Sequence, residues 1–145
     1  MFAIVCWVWY NIYKEMSTDM ANTENTVPVM ANQLPWNELV FQGQRTYKTL
    51  SFNWKHRGPI LLYNSTTVDR EGCDAYGVPV EDAKKQPKMA IVGMAVVTDV
   101  VVGEGCYLVS LAEPRRFAEP IPFKPPAGAI RIFRAPADFL QRATI

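Results

Sequence analysis

Continuous apolar runs separated by short polar breaks dominate the chain from residue 60 onwards, a pattern typical of β-strands joined by turns. The strongest run, MAIVGMAVVTDVVV at residues 89–102, is longer than one typical strand. We therefore expect a bulge or bend in it at Gly93 or at Thr98-Asp99. Other extended segments are predicted at residues 46–54, 60–63, 106–111 and 130–133.

Helical signals are few and short. Pro35 suits a first helical position and Gly43 suits the position just after a helix, which predicts about two turns between them. Pro79 suits the start of a helix over residues 80–85, and residues 138–142 favour a final helical turn. Helices this short do not cover a parallel sheet. The pattern predicts an α+β fold that is mainly β, with a small curved sheet or barrel and a few short helices.

The first 33 residues differ from the rest of the chain. Residues 17–33, STDMANTENTVPVMANQ, are polar, show no apolar periodicity and predict a linker. Residues 2–13 form an apolar run of twelve, shorter than the roughly 20 residues of a transmembrane helix and without a clear signal-peptide cleavage pattern. This run fits a membrane-surface or partner-binding tail, an added strand, or a start codon placed too far upstream, and the last is favoured. We predict one domain at residues 34–145 and expect it to stay folded when residues 1–30 are deleted.

Composition narrows the classes of function. With 145 residues, 49% apolar and 20% charged, the chain is ordinary for a globular protein. Residues 1–44 carry a net charge of −3 and residues 45–145 carry +4, so the predicted domain is basic enough for an anionic partner. Three cysteines without a CxxC pair and a single histidine, His56, argue against a structural zinc site. No metal and no cofactor is predicted, and reduced thiols favour the cytoplasm.

The densest basic stretch is RTYKTLSFNWKHR at residues 45–57, which contains no acid. Its cations are Arg45, Lys48, Lys55 and Arg57, and its aromatic side chains include Tyr47 and Trp54. Cations contact phosphates and aromatic faces stack on bases, so a single-stranded nucleic-acid or nucleotide site needs both. Composition alone favours a solvated basic edge with aromatic side chains in the core. In an extended segment Arg45 and Tyr47 share one face, and Thr46 and Lys48 share the other.

Four further features bear on chemistry. Arg131 on the last predicted strand either extends a phosphate-binding surface or is ordinary solubilising charge. The acidic sequence DREGCD at residues 69–74 matches no calcium loop and predicts a solvated loop. Asp99 lies inside the strongest β run, either at a bend facing water or directed into a pocket. Lys48, if buried beside Arg45, has the lowered pKa that a catalytic lysine needs, whereas a surface lysine does not.

A family resemblance rests on three stretches that follow one another along residues 34–134. The first, LPWNELVFQGQRTYKTLSFNWKHRG, carries Pro35-Trp36, Gly43, Thr46 and Arg57-Gly58 in order. The second is GPILLYNS, and the third combines IVGMA at residues 91–95, PIP at residues 120–122 and Gly128. In this order they resemble the ASCH family of the PUA-like superfamily. The resemblance implies a PUA-like fold in which the first stretch lines a cleft. It also implies RNA binding or, as in some bacterial relatives, hydrolysis of an acetylated cytidine.

The resemblance breaks at the residues that catalysis would need. Arg45 stands at the position of the family's motif lysine, Lys48 at that of the motif acid, and Leu50 at that of the motif arginine. An arginine does not replace lysine as a base or nucleophile, because its guanidinium stays protonated. The resemblance therefore implies the pocket and counts against the enzyme.

Three functions remain open. The leading prediction is binding of RNA or a modified nucleotide by seven residues: Arg45, Tyr47, Lys48, Trp54, Lys55, Arg57 and Arg131. The first alternative is a small amidohydrolase or nuclease that uses Lys48 and Thr46 with Asp99 as the acid. The second is a protein-interaction or inhibitor module anchored by the Trp-rich segment at residues 2–13.

Overall fold

The computed structural model describes residues 25–127 and 131–144, and a β-sheet is the main element of this part of the chain. Its six strands are β1 (Thr26–Leu34), β2 (Tyr47–Leu50), β3 (Gly58–Val68), β4 (Ala90–Val102), β5 (Tyr107–Pro122) and β6 (Ile132–Pro136). They lie in the order β2-β5-β4-β3-β1-β6, with β1 and β3 parallel and the other neighbours antiparallel. The predicted α+β, mainly β fold is confirmed.

Strand β1 lies inside the sheet, between β3 and β6. Val29 is paired with Leu61 of β3 on one side and with Phe133 of β6 on the other. Residues 27–30 are all buried, although Thr26, Pro28 and Asn32 interrupt the apolar pattern of the strand. The prediction of a linker is therefore wrong for residues 26–33, because pairing on both sides stabilises an extended segment that its own sequence specifies weakly.

The same strand bears on the expected effect of a truncation. Removing residues 1–30 would delete more than half of β1 and separate β6 from the sheet. The position of β1 therefore argues against the expectation that the domain folds without them, which stays a prediction. Residues 1–24, with the apolar run at residues 2–13, lie outside the described residues.

Strands β4 and β5 form the longest antiparallel pair. Its register shifts between Ile91 and Gly93 and again between Val97 and Asp99, so irregularities occur at both predicted positions. Gly93 is required for packing, because a Cβ built there would overlap the carbonyl oxygen of Arg115 and the ring of Phe41. The predicted strand at residues 106–111 is the first part of β5, and the extended segment at residues 46–54 keeps strand structure only in β2.

Three short α-helices connect strands, and a 3₁₀ helix follows the last strand. They are α1 (Trp36–Phe41), α2 (Arg70–Tyr76), α3 (Val80–Lys84) and a C-terminal 3₁₀ helix (Ala137–Thr144). Gly43 has a φ of 79° just beyond α1, as predicted, and α3 begins after Pro79. Helix α2 corrects the predicted acidic loop: Asp69 is its N-cap and accepts a hydrogen bond from the Gly72 amide. Gly77 ends it with a φ of 68°.

Apolar side chains pack on both faces of the sheet, because neighbouring residues of a strand point to opposite faces. Leu61 and Met94 belong to one cluster, together with Leu140 of the 3₁₀ helix. Leu62 and Ala95 belong to the other, together with Val40 of α1. No helix in the described part of the chain is long and apolar enough to cross a membrane.

Candidate ligand-binding cleft

A cleft of about 420 Å³ opens where the parallel strands β1 and β3 end. Parallel neighbours bring their carboxyl ends to the same side of the sheet, so residues that follow each strand's core meet there. Strand β2 contributes Lys48 and Thr49. The full lining is Ala31, Asn32, Gln33, Trp36, Lys48, Thr49, Ser65, Thr67 and Arg131.

The charge of the cleft lining is positive. Lys48 and Arg131 both line the cleft, and no carboxylate is among the described residues that do. Burial lowers the pKa of Lys48 from its ordinary value of 10.5, and the charges of Arg131 and Arg45 lower it further, while Asp69 opposes them. A negatively charged ligand would relieve this repulsion, so the cleft is electrostatically suited to an anion.

Trp36 forms one wall of the cleft and is held from two sides. Its indole nitrogen donates a hydrogen bond to Asp69 Oδ2 at 3.2 Å, which couples the wall to the start of α2. The guanidinium of Arg45 lies 3.2 Å from the Trp36 ring centroid, and Lys48 Nζ lies 4.9 Å from it. Arg45 also lies 4.8 Å from the ring centroid of Tyr47. Arg45 and Lys48 are thus brought together on Trp36, and Arg45 also contacts Tyr47.

Three buried asparagines form a chain of hydrogen bonds that ends at the cleft. Asn64 Nδ2 donates to the carbonyl oxygen of Pro87 at 2.9 Å, and Asn37 Nδ2 donates to Asn64 Oδ1 at 2.9 Å. Asn32 Nδ2 donates to Asn37 Oδ1 at 2.7 Å. Asn32 lines the cleft, is 3% exposed, and its Oδ1 accepts no hydrogen bond from the described residues. A residue that lines the cleft therefore keeps a buried acceptor with unused capacity.

Trp54, Lys55 and Arg57 lie elsewhere. They precede β3, whose far end supplies Ser65 to the cleft, and eight residues of a strand span about 26 Å. The Arg57 guanidinium donates to the carbonyl oxygens of Trp54 and His56, and the Trp54 ring packs against the core. The predicted binding set is therefore divided. Lys48 and Arg131 line the cleft, and Arg45 packs on its wall residue Trp36. Tyr47 contacts Arg45 without lining the cleft, and Trp54, Lys55 and Arg57 do not line it either.

The predicted catalytic residues are not brought together either. Lys48 is paired with Val109 of β5 and lies on the face of buried Leu50, whereas Asp99 is paired with Ser110 and lies on the opposite face. Asp99 is exposed and accepts a hydrogen bond from the Val100 amide. Thr46 is exposed as well and does not line the cleft. Asp99 is thus not placed to act as the acid partner of Lys48.

Asn32, Asn37 and Asn64 were missed by sequence reasoning. Asn32 falls in the segment that was predicted to be a linker. Asn37 falls in a helix of six residues, which is too short for an apolar periodicity to show which face is buried. Asn64 left a detectable signal, since it follows the apolar run ILLY and a polar residue buried in such a strand needs a partner. In the described part of the chain, no three histidine, cysteine or acidic side chains gather in a way that could hold a metal ion.

Comparison with known proteins assigns no family to the chain. A scan against models of protein families finds no match to the chain. A search of the curated proteins finds no match either. The resemblance to the ASCH family therefore stays a prediction that rests on the sequence motifs, and the function must be argued from the cleft itself.

Proposed function

We propose that the protein binds a nucleotide or single-stranded RNA in the cleft between β1, β2 and β3. The observation that carries this proposal is the pair of cations, Lys48 and Arg131, in a cleft of about 420 Å³ whose described lining holds no carboxylate. Phosphate groups are the ligand part that such a pair binds best, because both cations donate charge-assisted hydrogen bonds to phosphate oxygens. The volume of the cleft falls within the roughly 300–1,000 Å³ of ordinary small-molecule sites.

Three further features support the proposal. Arg45 adds a third positive charge close enough to lower the pKa of Lys48. Asp69 is the acid that raises the pKa of Lys48, but its carboxylate already accepts hydrogen bonds from the Trp36 indole and the Gly72 amide. The motifs that resemble the ASCH family imply binding in this part of the fold. The free thiols of Cys73 and Cys106 support a cytoplasmic location, where RNA is an available ligand.

The test is the salt dependence of RNA affinity. We expect single-stranded RNA to bind at low salt and to bind less tightly as salt rises. Lys48→Met and Arg131→Gln should each weaken binding and reduce the log–log salt slope by about 0.7 per lost phosphate contact. Lys55→Gln is the matched control, because this exposed lysine lies outside the cleft. Absence of RNA and nucleotide binding by the wild type at low salt would refute the proposal.

The lowered pKa of Lys48 supports a second function, an amidohydrolase in which this lysine acts as base or nucleophile. Lys48→Arg separates the two functions, because arginine keeps the charge but does not give up its proton. If acetylated cytidine is hydrolysed by the wild type and not by Lys48→Arg, the enzyme is favoured. The interaction module anchored at residues 2–13 stays a prediction, since that segment lies outside the described residues.

A further inference from the structure

We infer that the cleft selects ligands which present an N–H donor to Asn32, such as the exocyclic amino group of a nucleobase. This inference rests on the proposed function and names the ligand class that the site accepts. It follows from the direction of the asparagine chain, which determines that the oxygen of Asn32, a residue that lines the cleft, is the group left without a protein partner.

The direction of the chain is determined by its first partner. The carbonyl oxygen of Pro87 only accepts hydrogen bonds, so the Asn64 group that meets it must be the amide nitrogen. Asn64 Oδ1 then accepts from Asn37, and Asn37 Oδ1 accepts from Asn32. Turning any one amide around would bring two oxygens or two N–H groups together. The oxygen of Asn32 is therefore the group left without a protein partner.

The burial of this oxygen limits the kind of ligand group that it can accept. Asn32 is 3% exposed, and its hydrogen bond to Asn37 restrains its side chain, so it is a restrained acceptor in a confined space. A ligand amino group would donate to it, whereas a ligand carbonyl at the same place would oppose oxygen to oxygen. Lys48 and Arg131 line the same cleft. A single ligand with an anionic part and an N–H donor, such as an aminopurine nucleotide, can therefore bind the two cations and also donate to the Asn32 oxygen.

The experiment compares two nucleotides that differ at one group. AMP and 6-methylpurine riboside 5′-monophosphate share the phosphate, the ribose and the ring, and the methyl group has nearly the size of the amino group but does not donate. We expect wild type to bind AMP about tenfold more tightly, the ratio of one net hydrogen bond. Calorimetric titration at low salt measures both affinities with the same protein sample.

Asn32→Ala tests whether Asn32 reads the amino group. In this variant the affinity for AMP should fall to that of the methyl analogue, whose own affinity stays unchanged. Asn53→Ala is the control, since this exposed asparagine lies outside the cleft, and it should keep the tenfold preference. If Asn32→Ala does not fold, the wild-type comparison still decides, because it needs no variant.

The outcomes separate this inference from the proposed function. Equal affinity of wild type for the two nucleotides, or binding of RNA without binding of either nucleotide, overturns the inference and leaves the proposed function standing. A tenfold preference that persists in folded Asn32→Ala also overturns it, since another group then reads the amine. Loss of all binding, RNA included, refutes the proposed function itself.

Discussion

Removing Asn37 should destabilise the domain although no ligand is involved. Asn37 is fully buried, donates to Asn64 Oδ1 at 2.9 Å and accepts from Asn32 Nδ2 at 2.7 Å. Asn37→Ala leaves the Asn64 oxygen and the Asn32 nitrogen without this partner, and each buried orphan costs about 1–3 kcal/mol. We therefore expect the free energy of unfolding to fall by about 2–6 kcal/mol, a large part of the roughly 5–15 kcal/mol typical of a domain.

Urea denaturation measures this loss, provided that the dependence on urea concentration is the same for variant and wild type. Asn37→Asp separates the hydrogen bonds from the cavity, because it keeps the size of the side chain but places an oxygen opposite Asn64 Oδ1. It should also lose stability. Asn53→Ala, at an exposed site, should change the free energy by less than about 0.5 kcal/mol. A loss below about 1 kcal/mol for Asn37→Ala would refute the argument that Asn32 and Asn64 depend on Asn37 for their buried hydrogen bonds.

Two further predictions concern packing and charge. Gly93→Ala should lower the free energy of unfolding by about 1–3 kcal/mol, because its Cβ meets a backbone oxygen; a thermal midpoint equal to that of the exposed-loop variant Ser51→Ala would contradict this. Nucleotide affinity should be greatest below the lowered pKa of Lys48 and fall by up to about tenfold per pH unit above it, since a bound anion favours the protonated amine. Lys48→Met should abolish that fall, and affinity independent of pH up to 10.5 in wild type would disprove the role of Lys48.

Strands with long apolar runs could be predicted from the sequence, and others could not. The run MAIVGMAVVTDVVV specifies β4 by itself, because β-branched residues on both faces fit a buried strand. Strand β1 contains Pro28 and two polar residues after position 30, so its identity depends on β3 and β6, which lie far away in sequence. Helix α2 was missed because its sequence, REGCDAY, buries only Cys73.

The candidate site divides in the same way. Lys48 and Arg131 were selected from charge alone, and the fold brings them to one cleft although 83 positions separate them. Trp54 and Arg57 share a basic stretch with Lys48, but the chain leaves the sheet after Leu50 and takes them to the other end of β3. Asn32 could not be selected, because the value of a buried amide depends on partners from α1 and β3 that only the folded chain supplies.

The position of β1 has a consequence for the order in which the protein forms during synthesis. Thr26 is paired with Pro136, 110 positions later, whereas β4 and β5 are joined by a short turn. The β4–β5 hairpin can form early, but one side of β1 stays unpaired until the ribosome has released β6. Because contacts between distant positions form slowly, we expect slow folding, with an exposed β1 edge open to pairing with another nascent chain in the meantime.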